Sequence, residues 1–151
     1  FFRNSDLYDM ANYAQTVNVI GCIKTSQTDA VFATTGLPLK LYRGKFGTVP
    51  VKLNGDTGML DIAAALTTDN EILTVAIVNP TPKYERVILQ GAGDHFSKVG
   101  KWVIADADPE IYNEPDVEPR VVIKEESVRL SEPVLEVPAY GIALYRLELR
   151  Q

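Results

Sequence analysis

The chain has 151 residues, 46% of them hydrophobic and 23% charged, the balance of a globular protein with a sizeable core. Its formal net charge of −5 offers no basic field to phosphate or to an anionic membrane surface, so neither nucleic acid nor a membrane is expected as a partner. Cys22 is the only cysteine, which excludes an internal disulfide and a cysteine zinc site and leaves it as a small buried apolar residue.

The chain opens Phe1-Phe2-Arg3 rather than with methionine. Nothing resembles a signal peptide, and no apolar run approaches the ~20 residues of a membrane span. The compartment is read as cytoplasmic or left open. Met10-Ala11-Asn12-Tyr13-Ala14, followed by Val17, Val19, Ile20 and Ile23, gives short apolar runs that suit buried strand or buried helix, and periodicity does not decide between them. Thr34-Thr35 followed by Leu37, Leu39, Leu41, Tyr42 and Phe46 predicts one helix with a threonine N-cap and Gly47 as its C′ stop, with Pro38 inside the first turn. One helix and a few short apolar segments cannot bury their own faces, so the front reads as part of something larger.

Near residue 48 the period changes. Short β-like runs follow at 48–53, 59–66, 72–78, 85–89, 101–105, 120–123, 134–137 and 142–149. They are separated by turn chemistry: Asn54-Gly55-Asp56, Thr68-Asp69-Asn70, Asn79-Pro80-Thr81-Pro82, Gly91-Ala92-Gly93 and Pro138-Ala139-Tyr140-Gly141. Strands at this spacing predict an antiparallel sandwich. In the last strand Ile142, Leu144, Leu147 and Leu149 are read as one buried face and Arg146, Glu148 and Arg150 as a wet one. Residues 106–119 are acidic and proline-punctuated and are read as the longest loop.

Little in this chain carries chemistry by itself. His95, the only histidine, lies in a turn context and reads as a surface residue rather than as the base of a hydrolase. Asp106, Asp108, Glu110, Glu114, Asp116 and Glu118 are oxygen donors without calcium-loop spacing, and read as a solvated loop. Gly91-Ala92-Gly93 lacks the further glycine and helix of a phosphate loop. Trp102 and the seven tyrosines raise the idea of a sugar-stacking platform, but Trp102 sits in an apolar strand and reads as core. No pair of carboxylates is spaced for glycoside hydrolysis.

The segment Met10-Ala11-Asn12-Tyr13-Ala14-Gln15-Thr16-Val17-Asn18-Val19-Ile20 resembles the family 51 glycoside hydrolases, chiefly α-L-arabinofuranosidases, whose last barrel strand ends in Ala-Gln-x-Val-Asn. Thr35-Gly36-Leu37-Pro38-Leu39-Lys40-Leu41-Tyr42-Arg43-Gly44-Lys45-Phe46-Gly47 is similar to that family's final barrel helix, and 73–80 with 140–147 to its C-terminal sandwich strands. The resemblance implies a mainly β chain: a jelly-roll-like antiparallel β-sandwich at 48–151, preceded at 1–47 by the last strand and helix of a (β/α)8 barrel whose remainder is missing. It implies a retaining enzyme that releases terminal α-L-arabinofuranosyl residues from arabinoxylan or arabinan oligosaccharides, with both catalytic glutamates upstream of Phe1 and none in this chain.

By the same resemblance Gln15 binds the sugar, a task a neutral amide suits because it donates and accepts without adding charge. Asn18 is expected to fix the loop by bonding backbone. The stretch 21–33 departs from the family pattern, so linkage preference is open. No metal or cofactor is expected. The partners implied are an arabinose-containing oligo- or polysaccharide, the rest of the barrel and a further copy in a homo-oligomer. Two alternatives stand beside this reading: a non-catalytic carbohydrate-binding or assembly sandwich module, and a relative that cleaves β-glucan or xylan linkages.

Overall fold

The computed structural model describes residues 1–90, 96–128 and 133–150. After a single 3₁₀ turn at Phe2–Asn4 and an exposed stretch, β1 (Ile23–Thr25) and β2 (Ala30–Phe32) form a hairpin that leads into α1 (Gly36–Lys45). Eight strands follow: β3 (Val49–Val51), β4 (Asp61–Leu66), β5 (Ile72–Asn79), β6 (Glu85–Ile88), β7 (Phe96–Ile104), β8 (Lys124–Ser127), β9 (Val134–Val137) and β10 (Gly141–Leu149). They make a six-stranded sheet in the order β3-β4-β5-β10-β7-β8 and a two-stranded sheet β6-β9, every pairing antiparallel. The mainly β, antiparallel sandwich expected from the sequence is what forms.

Alternation along the central strands sends apolar side chains to both faces of the large sheet. Odd-numbered residues Val75, Ile77, Ala143, Tyr145 and Leu147 meet Leu135 and Val137 of β9 in one core cluster. Even-numbered Ala76, Trp102 and Leu144 pack under Leu37 and Leu41 of α1 in a second. This corrects the reading of the last strand: Ile142 and Leu144 share their face with Arg146, not with Leu147. The wet face is wet only towards the strand's end, because α1 covers its beginning. There Arg146 donates to the Lys45 carbonyl, at 3.3 Å.

Between the sheets runs a polar tie. The Tyr145 hydroxyl donates to the Glu136 carbonyl at 2.6 Å and accepts from the Glu136 N–H at 2.9 Å, so it satisfies both backbone groups of a β9 residue as a neighbouring strand would. At the β5–β6 corner Asn79, 1% exposed, uses its whole amide: Nδ2 donates to the carbonyls of Lys83 and Pro138, and Oδ1 accepts from the N–H and hydroxyl of Thr81.

The helix falls where predicted, but its ends have other causes. Thr35 makes no side-chain cap. The start is set by Gly36, where an added Cβ would lie 2.4 Å from the Cys22 carbonyl oxygen, so the helix begins against the turn that precedes β1. Gly47 is not a left-handed stop. It passes so close to β4 that a Cβ would sit 2.5 Å from the Leu66 oxygen, and its N–H donates to the Thr74 hydroxyl at 2.9 Å. That hydroxyl, fully buried, in turn donates to the Ala65 carbonyl at 2.9 Å.

The run 120–123 forms no strand; β8 lies just beyond it. Val121 is withdrawn from any ladder because the Asn113 side chain takes both its backbone groups, Oδ1 accepting from the N–H at 3.0 Å and Nδ2 donating to the carbonyl at 2.7 Å. β8 itself is an exposed edge reading Lys124-Glu125-Glu126-Ser127, whose charges deter pairing with another chain. Trp102 is 8% exposed, with Nε1 donating to Glu125 at 3.0 Å and the Lys45 ammonium 4.3 Å from the centre of its ring. The turn Gly91-Ala92-Gly93 lies outside the described residues.

The loop 106–119 is ordered by local bonds. Asp106 receives the backbone N–H of Asp108 at 3.0 Å and a two-pronged contact from Arg120 at 3.1 and 3.0 Å. The Asp108 N–H first, and then the Arg120 guanidinium, hold the Asp106 carboxyl below its ordinary 3.8.

Two predictions follow from this packing. Gly47→Ala and Thr74→Val should each lower unfolding free energy by about 1–3 kcal/mol, the first by overpacking and the second by stranding the Gly47 N–H, read as a shift in denaturation midpoint. For Asp106, a depressed folded-state value means that its contribution is present above the unfolded value and is lost as pH falls through the folded one. A carboxyl titration followed by NMR should place Asp106 below 3.8, and Arg120→Ala should raise it only part of the way, because the Asp108 N–H remains.

Candidate functional site

Gln15 lies on an exposed loop immediately before Thr16, joined to Ala14 through a cis peptide bond. Its side chain forms no hydrogen bond among the described residues, so the amide is open to a ligand. The loop is held from behind by β1. The Ile23 N–H donates to the Thr16 carbonyl at 3.0 Å and the Asn18 N–H donates to the Ile23 carbonyl at 2.8 Å, which gives a short parallel bridge between Val17 and Ile23.

Asn18 closes the loop with its side chain, as expected. Oδ1 accepts from the Thr25 N–H at 2.8 Å, and Nδ2 donates to the Thr25 hydroxyl at 2.9 Å. Asn18 and Val19 both occupy the left-handed region, with φ of 54° and 46°; asparagine tolerates this and a β-branched valine does not, so the turn is imposed by its surroundings. The Lys24 ammonium also caps the Val19 carbonyl. Cys22 is half-buried rather than buried, its thiol 3.6 Å from the Thr16 carbonyl.

The apolar runs from Met10 to Ile20 are exposed and irregular rather than the buried strand or helix expected. Leu7, Met10, Val19 and Ile20 are each 63–79% exposed. That is a large apolar area for a segment whose own secondary structure is one 3₁₀ turn.

The hairpin that carries the loop is fastened to the sandwich by the acidic loop. Asn113 Nδ2 donates to the Phe32 carbonyl at 3.2 Å, the Asp116 N–H donates to the Asp29 carboxylate at 2.8 Å, and the Thr28 hydroxyl donates to Asp116 at 2.9 Å. Nothing in the sequence marks Asn113, which stands in a run of acids and prolines like any solvated asparagine. Its 3% exposure shows only in the fold.

The other candidates do not join Gln15. The acidic side chains form no cluster able to hold a metal among the described residues, and Asp106 and Asp116 are engaged as above. His95 lies outside the described residues. Trp102 and Tyr145 are buried and offer no stacking face, while Tyr8, Tyr13, Tyr84, Tyr112 and Tyr140 are exposed. A groove of about 860 Å³ opens between residues 52–60 and β6, and no residue of the Gln15 loop or its hairpin lines it. No helix among the described residues is long and apolar enough to cross a membrane.

A comparison with curated protein sequences finds no match. Solved structures do match. The α-L-arabinofuranosidase of Thermotoga maritima in complex with arabinose superposes with a TM-score of 0.78 at 20% identity, over 97% of this chain and 35% of its own. The GH51 arabinofuranosidase of Xanthomonas axonopodis pv. citri gives 0.77 at 22% identity, over 98% and 33%. An arabinose-bound MgGH51 α-L-arabinofuranosidase gives 0.85 at 16% identity, over 98% and 25%. The chain thus spans about a quarter to a third of the length of these structures, and at such identity they show a shared fold. The α-L-arabinofuranosidase C-terminal domain family matches residues 1–140, and the chain belongs to that family.

Proposed function

We propose that this chain is the C-terminal part of a retaining glycoside hydrolase that releases terminal α-L-arabinofuranosyl residues from arabinoxylan or arabinan oligosaccharides. Residues 1–47 complete a (β/α)8 barrel and 48–151 form the sandwich that buttresses it. The observation that carries the reading is Gln15: an exposed amide without a partner among the described residues, in the Ala-Gln-x-Val-Asn motif, on a loop locked by Asn18, in a chain of this family. The exposed apolar side chains of Leu7, Met10, Val19 and Ile20 support it further, because the remaining barrel elements would cover them.

In this reading the chemistry is divided. Two carboxylates about 5–5.5 Å apart, one attacking the anomeric carbon and one protonating the leaving oxygen and then activating water, belong to the part of the enzyme outside this chain. Gln15 holds the furanose hydroxyls with one donor and one acceptor edge and leaves the charge balance of the glutamates undisturbed. Residues 8–16 form no strand in this chain; in the completed barrel Gln15 would stand at the C-terminal end of a strand, where barrel enzymes place their working groups. Trp102 is buried and offers no stacking face, whereas Tyr84, Tyr112 and Tyr140 of the sandwich are exposed.

The test is turnover of p-nitrophenyl α-L-arabinofuranoside by the intact enzyme and by its Gln15→Ala variant. A loss of about tenfold to a hundredfold in kcat/KM is expected for removal of hydrogen bonds to sugar hydroxyls. Full activity in the variant would take Gln15 out of the site.

A further inference from the structure

The hairpin β1–β2 has two strands of three residues each, too little to hold a position alone. Its placement must come from what grips it. The Gln15 loop depends on it in turn, through the Thr16–Ile23, Asn18–Ile23 and Asn18–Thr25 hydrogen bonds.

Three grips are visible. At the base Phe32 packs into the cluster beneath α1, with the Lys40 ammonium 4.8 Å from the centre of its ring. Beside it Asn113, 3% exposed, donates one amide hydrogen to the Phe32 carbonyl and the other to the Val121 carbonyl, while its oxygen accepts from the Val121 N–H. At the tip Asp116 is bonded to both Thr28 and Asp29. Two of the three come from the sandwich loop.

The path from Asn113 to Gln15 is short and made of hydrogen bonds. Phe32 pairs with Ile23, and the Ile23 N–H holds the carbonyl of Thr16, the residue after Gln15. We propose that Asn113, with the Thr28–Asp29–Asp116 contacts, forms a positioning clamp by which the sandwich sets the place of Gln15 and so the binding of the furanose ring. The proposal rests on Gln15 being a sugar-binding residue. It gives the sandwich a role in substrate binding without any sugar touching it.

The clamp draws on a loop that its local bonds already order. Asp116 has a φ of 64°, a conformation that costs energy outside glycine, and the turn it makes presents its N–H and carboxylate together to the hairpin tip. Arg120 on Asp106 closes the far end of the same loop.

The experiment uses the intact enzyme and a cycle of variants: Asn113→Ala, the exposed pair Thr28→Val with Asp29→Ala, Gln15→Ala, and each clamp variant combined with Gln15→Ala. KM for the aryl arabinofuranoside should rise about threefold to tenfold in Asn113→Ala and about twofold to threefold in the tip pair, with kcat changed less than about twofold. In the Gln15→Ala background the same changes should leave KM where Gln15→Ala alone puts it. If Asn113→Ala does not fold, the tip pair, which lies outside the core, carries the test.

An unchanged KM in the clamp variants that fold overturns the clamp, as does a KM increase of equal size with and without Gln15. Both leave Gln15 itself standing if Gln15→Ala is impaired. Full activity in Gln15→Ala overturns the sugar-binding reading, and the clamp falls with it.

Discussion

The structure is organised by one pair of strands. β5 and β10 lie side by side at the centre of the large sheet, and Thr74, Val75, Ala76, Ile77, Ala143, Leu144, Tyr145 and Leu147 are each no more than 1% exposed. A strand pair buried on both faces needs a cover on each. Full burial of each large aliphatic side chain contributes about 1.5–3 kcal/mol, so neither cover is optional. The β6–β9 ribbon covers one face and α1 the other. Because α1 is pinned by this demand, so is the chain on either side of it: Gly36 against Cys22 and Gly47 against β4 leave no slack. The hairpin and the Gln15 loop thus hang from a helix whose place is dictated by the sandwich.

This bears on how the chain divides. By hydrophobic period it changes character near residue 48, yet Leu37 and Leu41 of the helix before that point belong to the same buried cluster as Leu144. The boundary in sequence is a seam in space, filled by Trp102, Ala76 and Leu144 from below and by α1 from above. Strain at the seam would be felt through the hairpin at the loop that carries Gln15.

Much of the fold was legible because it follows from period and turn chemistry. The strands from β3 to β6, together with β9 and β10, fell within a residue or two of their predicted runs, and Asn54-Gly55 and Asp69-Asn70 turn through positive φ at Gly55 and Asn70. The departures share a cause: long-range polar contacts that leave no local mark. Asn113 takes Val121 out of a strand from eight residues away, Thr74 rather than a left-handed turn explains Gly47, and α1 turns the expected wet face of β10 into an interior one. β7 begins five residues before its apolar run because Lys98 and Gly100 interrupt the pattern that would have shown it. At the site, Gln15 and Asn18 were readable as a motif, whereas the hairpin's attachment to residues 113–116 joins stretches about eighty residues apart and has no local signature.

Trp102 is the chain's one tryptophan, and it lies where the two halves meet, its ring under the Lys45 ammonium and its indole N–H on Glu125. An indole so placed is a built-in optical probe. Lifting α1 from the sheet would admit water to the ring and remove a cation from its face, shifting its emission to longer wavelength before either half unfolds. Separation of the seam would therefore be visible in the unmodified protein, distinct from the loss of β-structure that circular dichroism follows.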